Sequence, residues 1–163
     1  MKRVALVAGS QSDVPLLAEC RKHLEFFGIP YDEFVLSAHR NPEETADFAR
    51  SAEQAGYGVL IAAAGMAAAL PGVLAAHTIL PVIGVPVPSS DLHGLDSLLS
   101  IAQMPSGVPV ATMAIGKAGS ANAGVLAAQI LALEEPTLRE KLYEFKQMGC
   151  KIPKEPLPFE RPG

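Results

Sequence analysis

The chain has 163 residues, 49% of them hydrophobic and 18% charged, with a formal net charge of -4 at pH 7. That is enough for one domain with a sizeable core, too apolar for a disordered segment, and without the basic stripe that nucleic-acid binding needs. So few charged residues also cover a monomer's surface poorly, which points to burial between subunits.

Two cysteines, Cys20 and Cys150, make no disulfide framework, and a reducing cytoplasm is the simpler setting. Met1-Lys2-Arg3 leads straight into a strand-like run too short for a secretory leader. The apolar stretch from Val59 to Ala69 is interrupted by Gly65, and the next ends at His77 and Pro81, so no membrane span is expected.

Val4 to Ala8 is apolar without alternation, as in a parallel strand buried on both faces. Gly9-Ser10-Gln11-Ser12-Asp13 follows as a polar turn, with Ser12 or Asp13 placed to cap a helix and Pro15 in its first turn. Leu17, Cys20, Leu24 and Phe27 mark the buried face of that helix, and Gly28 stops it. Tyr31 to Leu36 reads as the second strand. After Ser37-Ala38-His39-Arg40, Asn41 and Glu44 have capping-box spacing with Pro42 at the first helical position. Phe48, Ala49, Ala52 and Ala55 give this helix its inner face.

Val59 to Ala63 is the third strand, Ala64 to Leu70 a turn of small residues, and Pro71 starts a short helix ending near Thr78. Pro81 to Val85 is the fourth strand. A long loop to His93 precedes a helix marked by Leu95, Leu98, Leu99 and Ala102. Val108 to Ile115 is the fifth strand, Asn122 to Leu133 an alanine-rich helix and Thr137 to Met148 another. Residues from about 136 onward form a C-terminal helix and a Pro-rich tail. Five strand-turn-helix units in succession predict an α/β domain over residues 1–163, a parallel sheet with helices on both faces.

In such a sheet the turns after the strands share one edge, where ligands bind. Ser37, His39 and Arg40 put a hydroxyl, a group that titrates near neutral pH and a fixed cationic fork at one strand-to-helix turn. The alternative for His39 is a loop histidine bonded to backbone, and for Arg40 a pair with Glu43 or Glu44. Ser10, Ser12 and Asp13 make a cradle for phosphate or ribose at a helix start, with Asp13 suited to sugar hydroxyls or a cap. This turn is neither the dinucleotide fingerprint nor a Walker loop. The small residues from Ala62 to Ala69 fit tight packing or a dry pocket that shields a reactive intermediate. His23 reads as solvated, His77 as a core or interface group, and His93 as the rival to His39. No histidines, cysteines and carboxylates have metal-ligand spacing.

From about Arg3 to about Leu133 the chain resembles the N5-carboxyaminoimidazole ribonucleotide mutases of purine biosynthesis. The resemblance is carried by Gly9-Ser10-Gln11-Ser12-Asp13, Ser37-Ala38-His39-Arg40, Ala69-Leu70-Pro71-Gly72 and Gly84-Val85-Pro86-Val87. It continues in Gly94-Leu95-Asp96-Ser97-Leu98, Gln103-Met104-Pro105 and Gly116-Lys117-Ala118-Gly119. It implies a three-layer flavodoxin-like sheet of about five strands, a homo-octamer with sites near subunit contacts, a phosphorylated ribonucleotide as substrate, and no metal, ATP or organic cofactor. It also implies His39 as general acid and base. Ser10, Asp13 and Arg40 would bind the nucleotide, Ser12 and Ser37 would help at the phosphate, and the Gly65 to Leu70 loop would cover trapped carbon dioxide. The third turn departs from the familiar Gly-Gly-Ala-Ala-His-Leu-Pro-Gly, with Met66 in place of a glycine and Ala69 in place of a histidine. The alternatives are an aminoimidazole ribonucleotide carboxylase using free carbon dioxide, which resembles Ser-Ala-His-Lys at the key turn, and a non-catalytic nucleotide-binding module.

Overall fold

Successive residues of the inner strands bury on opposite faces of one sheet, so the apolar runs have no polar alternation. Val4, Leu6, Val59 and Ile61 point into one core; Ala5, Val7, Leu60 and Ala62 point into the other. The computed structural model describes residues 1–153. Strands β1 (Arg3–Ala8), β2 (Tyr31–Val35), β3 (Tyr57–Gly65), β4 (Val82–Val87) and β5 (Ala111–Thr112) form one sheet in the order β2-β1-β3-β4-β5. Every pairing is parallel, which gives the flavodoxin-like order.

Helices α1 (Ala18–Phe27), α5 (Lys117–Leu131) and α6 (Pro136–Gln147) cover one face, burying Leu24, Phe27, Ala127 and Leu138. Helices α2 (Pro42–Ser51), α3 (Leu70–His77) and α4 (Leu95–Ala102) cover the other, burying Ala49, Leu74 and Ile101. Each fully buried leucine or phenylalanine is worth roughly 1.5–3 kcal/mol relative to exposure. Gly28 ends α1 at φ 70, the left-handed position glycine fills without strain.

Local structure departs from the sequence reading at several points. The first helix opens as a 3-10 segment, Gln11–Leu17, because Pro15 lies inside it and has no N–H to donate to an α-helical bond. Neither Ser12 nor Asp13 caps it. Asn41 makes no side-chain cap on α2; its carbonyl instead takes both the backbone N–H and the hydroxyl of Thr45, at 3.0 and 2.8 Å. Ala55 lies beyond the end of α2 and is exposed.

On α4, Leu95 and Leu99 face solvent while Ser97 and Ile101 face in. The Ser97 hydroxyl, 3.0 Å from the carbonyl of Val87 and 2.9 Å from that of Gly94, turns that face of the helix to the sheet. The fifth strand is two residues long where eight were expected. Pro109 lacks an N–H, and Gly107 turns the chain at φ 95, so only isolated bonds such as Met113 N–H to the Gly84 carbonyl flank the ladder. The prolines from Pro156 onward lie outside the described residues.

Candidate active site

Strand order decides where a crevice can open. The chain leaves β1 for the face that carries α1, and leaves β3 for the face that carries α3, so the two turns part at the sheet's C-terminal edge. A cleft of about 680 Å³ lies there, lined by residues 9–13, 35, 37–41, 64–70 and 89. That volume suits a nucleotide-sized ligand. Ser10, Ser12, Asp13, Ser37, His39, Arg40, Gly65 and Leu70 all line it.

The β1 turn holds the polar floor. Asp13 is 6% exposed, and its Oδ2 accepts the Ser10 hydroxyl at 2.8 Å. Burial pushes the Asp13 carboxyl above its ordinary value, and the Ser10 hydroxyl and N–H side contacts pull part of the way back. Ser12 Oγ lies 2.7 Å from Ser10 Oγ. An ionised carboxylate only accepts, so Ser10 donates to Asp13 and Ser12 donates to Ser10. The hydroxyls thus form a directed chain ending on the carboxylate.

The β2 turn holds an imidazole and a guanidinium, His39 and Arg40. Asn41 N–H donates to the Ser37 carbonyl at 2.8 Å, and Arg40 N–H reaches the Ser37 hydroxyl at 3.3 Å. Ser37 therefore shapes the bend that carries His39 and Arg40, both exposed in the cleft. Among the described residues neither the His39 imidazole nor the Arg40 guanidinium has a protein partner, so the alternatives of a backbone-bonded histidine and an Arg40–Glu43 or Arg40–Glu44 pair are not realised.

The β3 turn is the opposite wall. Ala64, Ala68 and Leu70 are buried, and residues 66–69 fold through two tight bonds, Ala68 N–H to the Met66 carbonyl and Ala69 N–H to the Ala67 carbonyl, at 2.9 and 2.7 Å. Met66 takes φ 55, a left-handed value uncommon for a residue with a side chain, and is exposed at the mouth. The two walls are joined by a backbone bond of 2.9 Å from Gly9 N–H to the Ala63 carbonyl.

Some candidates fall elsewhere. His93 lies in the loop after β4 and does not line the cleft. His23 is half-buried rather than solvated, its Nδ1 2.7 Å from the Glu19 carbonyl and its ring edge-on to Phe145. His77 is half-buried with Nδ1 3.5 Å from an Arg50 nitrogen. Of the turn after β5, Ser120 is buried and accepts the Cys20 N–H at 3.1 Å, a packing role between α1 and α5. Cys20 itself is buried core, its thiol pushed up to about 12 by desolvation. Ser89 also lines the cleft, and its only signal in the sequence is its place after β4. Among the described residues no group of three histidines, cysteines, aspartates or glutamates is placed to hold a metal ion.

A family model described as AIR carboxylase matches residues 3–151, nearly the whole chain and every turn of the cleft. The chain belongs to the AIR carboxylase family. Within it, a protein of Pyrococcus horikoshii is 49% identical over 161 residues, covering 98% of this chain and 90% of that one. A protein of Escherichia coli strain K12 is 52% identical over 145 residues, covering 89% and 86%. Both bear the name N5-carboxyaminoimidazole ribonucleotide mutase. A solved structure, Treponema denticola PurE, superposes with a TM-score of 0.81 at 27% identity, covering 90% of each chain. The flavodoxin-like expectation therefore holds for this AIR carboxylase family member both in strand order and in its likeness to a solved relative. Among its described residues no helix is long and apolar enough to cross a membrane.

Proposed function

We propose that the protein is a mutase of purine biosynthesis that moves a carboxyl group from the exocyclic nitrogen of N5-carboxyaminoimidazole ribonucleotide to ring carbon four. The observation that supports this reading best is the division of the cleft. A proton carrier and a cation, His39 and Arg40, stand on one wall, and a bed of small apolar residues, 64–70, forms the other. The E. coli and P. horikoshii relatives carry the mutase name at about half identity.

In this mechanism the ribonucleotide's phosphate lies by Arg40 and the N–H groups of the β1 turn, with Ser12 and Ser37 beside it. Ser10 and Asp13 take sugar hydroxyls. His39, as imidazolium, gives its proton to the exocyclic nitrogen while the N–C bond breaks and carbon dioxide departs. The gas stays beside aminoimidazole ribonucleotide under the Gly65 to Leu70 loop. Ring carbon four attacks it, and neutral His39 removes the proton from that carbon. The histidine ends as it began, so no net acid or base is consumed. Holding the gas against its acceptor makes the second step effectively unimolecular, a gain of up to roughly 7 kcal/mol or more.

Residues 1–163 act as one catalytic domain in the cytoplasm, assembled as a homo-octamer. The exposed Leu92, Leu95 and Leu99 around α4, with Ile79 and Leu133, support such burial between subunits. The second reading is a carboxylase that takes carbon dioxide from solution, favoured by Met66 and Ala69 in the third turn. Carboxylate-labelled substrate in unlabelled bicarbonate separates the two. Label retained in the 4-carboxy product supports the mutase. Label lost, with turnover rising as carbon dioxide is added, supports the carboxylase.

A further inference from the structure

The apolar wall contains one side chain able to donate a strong hydrogen bond. The cleft residues drawn from β3, β4 and their turns are glycine, alanine, methionine and leucine, with the single exception of Ser89. Its hydroxyl does not point away from that wall. A Cβ added at Gly65 would collide with Ser89 Oγ and lie 3.2 Å from Ser89 Cβ, so the hydroxyl occupies the space a side chain at position 65 would fill. Among the described residues the hydroxyl has no hydrogen-bond partner, unlike that of neighbouring Ser90, which accepts the Leu92 N–H at 3.1 Å. A backbone bond of 3.0 Å from Ser89 N–H to the Val87 carbonyl fixes the residue at the end of β4.

We infer that the Ser89 hydroxyl donates a hydrogen bond to the migrating carboxyl group and decides whether the group is recaptured or lost. This rests on the mutase reading above. The bed at 64–70 suits neutral carbon dioxide and disfavours a carboxylate, since no other side chain on that wall replaces the water it excludes. Breaking the N–C bond is therefore assisted by the bed, but forming the new C–C bond is not. As ring carbon four attacks, one electron pair of a C=O bond moves onto oxygen, and that oxygen needs a donor. Ser89 supplies it and keeps its own proton throughout; the only proton transferred is that of His39. Removing the hydroxyl slows recapture while leaving escape unchanged, so the intermediate drains to free aminoimidazole ribonucleotide and carbon dioxide.

The test follows both products from carboxylate-labelled N5-carboxyaminoimidazole ribonucleotide in unlabelled bicarbonate, using the full chain. Wild type should retain label, Ser89→Ala should release about tenfold more aminoimidazole ribonucleotide per carboxylated product, the size of one lost hydrogen bond to a charged group. Its nucleotide affinity should stay within about twofold, as for an exposed substitution. Ser90→Ala should behave as wild type. Partitioning in Ser89→Ala equal to wild type overturns the inference, as does equal leakage from Ser90→Ala, which would assign the effect to the loop. A wild-type protein that loses its label overturns the mutase reading, and the inference with it, in a separate arm.

Discussion

The two walls of the cleft are built from opposite materials. The turns after β1 and β2 carry hydroxyls, a carboxylate, an imidazole and a guanidinium, whereas the turn after β3 carries alanines, a glycine, a methionine and a leucine. The polar wall carries the charged and hydrogen-bonding groups and stays open to water, with His39 and Arg40 exposed. The apolar wall is buried at Ala64, Ala68 and Leu70 and, apart from the Ser89 hydroxyl over Gly65, presents no polar side chain. A reaction that passes through a small neutral molecule needs both, one to move the proton and one to keep the molecule dry. On the proposed mechanism the small, unreactive side chains of the β3 turn are themselves functional, since a charge added among them would draw water onto the intermediate they shield.

The polar wall is most vulnerable at His39. In His39→Asn the fold and nucleotide affinity should survive while nearly all turnover disappears in a steady-state assay; wild-type-like rates would remove the proton carrier from the polar wall. Arg40→Ala should weaken the phosphorylated ligand by about 1.5–3 kcal/mol in a calorimetric titration, the range for hydrogen bonds to charged groups. Unchanged affinity would take the phosphate away from that turn.

Asp13 sharpens the contrast in a different observable. Burial raises its carboxyl, so the folded chain holds this proton more tightly than the unfolded chain. The associated stability is complete below the ordinary carboxylate range and is lost as pH rises through the raised value. Asp13→Asn should therefore melt higher than wild type at neutral pH, by about 2–4 °C for each 1 kcal/mol recovered. The difference should close as the pH falls below the carboxylate range, and nucleotide binding should weaken at neutral pH. A variant less stable at neutral pH would contradict the sign.

The smallest effect belongs to the apolar wall's rim. Met66 sits at φ 55, where a side chain costs roughly 1–2 kcal/mol that glycine does not bear, offset in part by glycine's greater freedom when unfolded. Met66→Gly should raise the melting temperature by no more than about 2–4 °C.

Much of the polar wall was readable from the sequence, because Ser10, Asp13, His39 and Arg40 sit beside strand ends and helix starts that local signals mark clearly. Val4 to Ala8 and Val59 to Ala63 announced strands buried on both faces by lacking alternation, and they are so buried. The order of the strands was not readable, since no pattern within β1 says that β2 and β3 lie on either side of it. Val108, Val110 and Met113 look like strand residues and predict a longer fifth strand, while Pro109 and the turn at Gly107 limit the ladder to two residues. Leu95 and Leu99 mark α4 as a helix, but apolar spacing cannot tell a core from a surface that another element covers, and both face solvent. Ser89 stayed hidden because its meaning comes from lying over Gly65, a neighbour through β3 and β4 pairing and not through the chain.

The backbone bond between Gly9 and Ala63 has a consequence for how the cleft can move. It is the last rung of the β1–β3 ladder, and a matching bond of 2.9 Å from Leu36 N–H to the Ala8 carbonyl ties β2 at the same level. The jaws of the cleft are consequently extensions of one continuous sheet, and their spacing is set by peptide geometry instead of by side-chain rotamers. Such a vice does not widen to suit a larger molecule. The gauge of the cleft is written into the sheet itself, and any adjustment falls to the short turns at its edge.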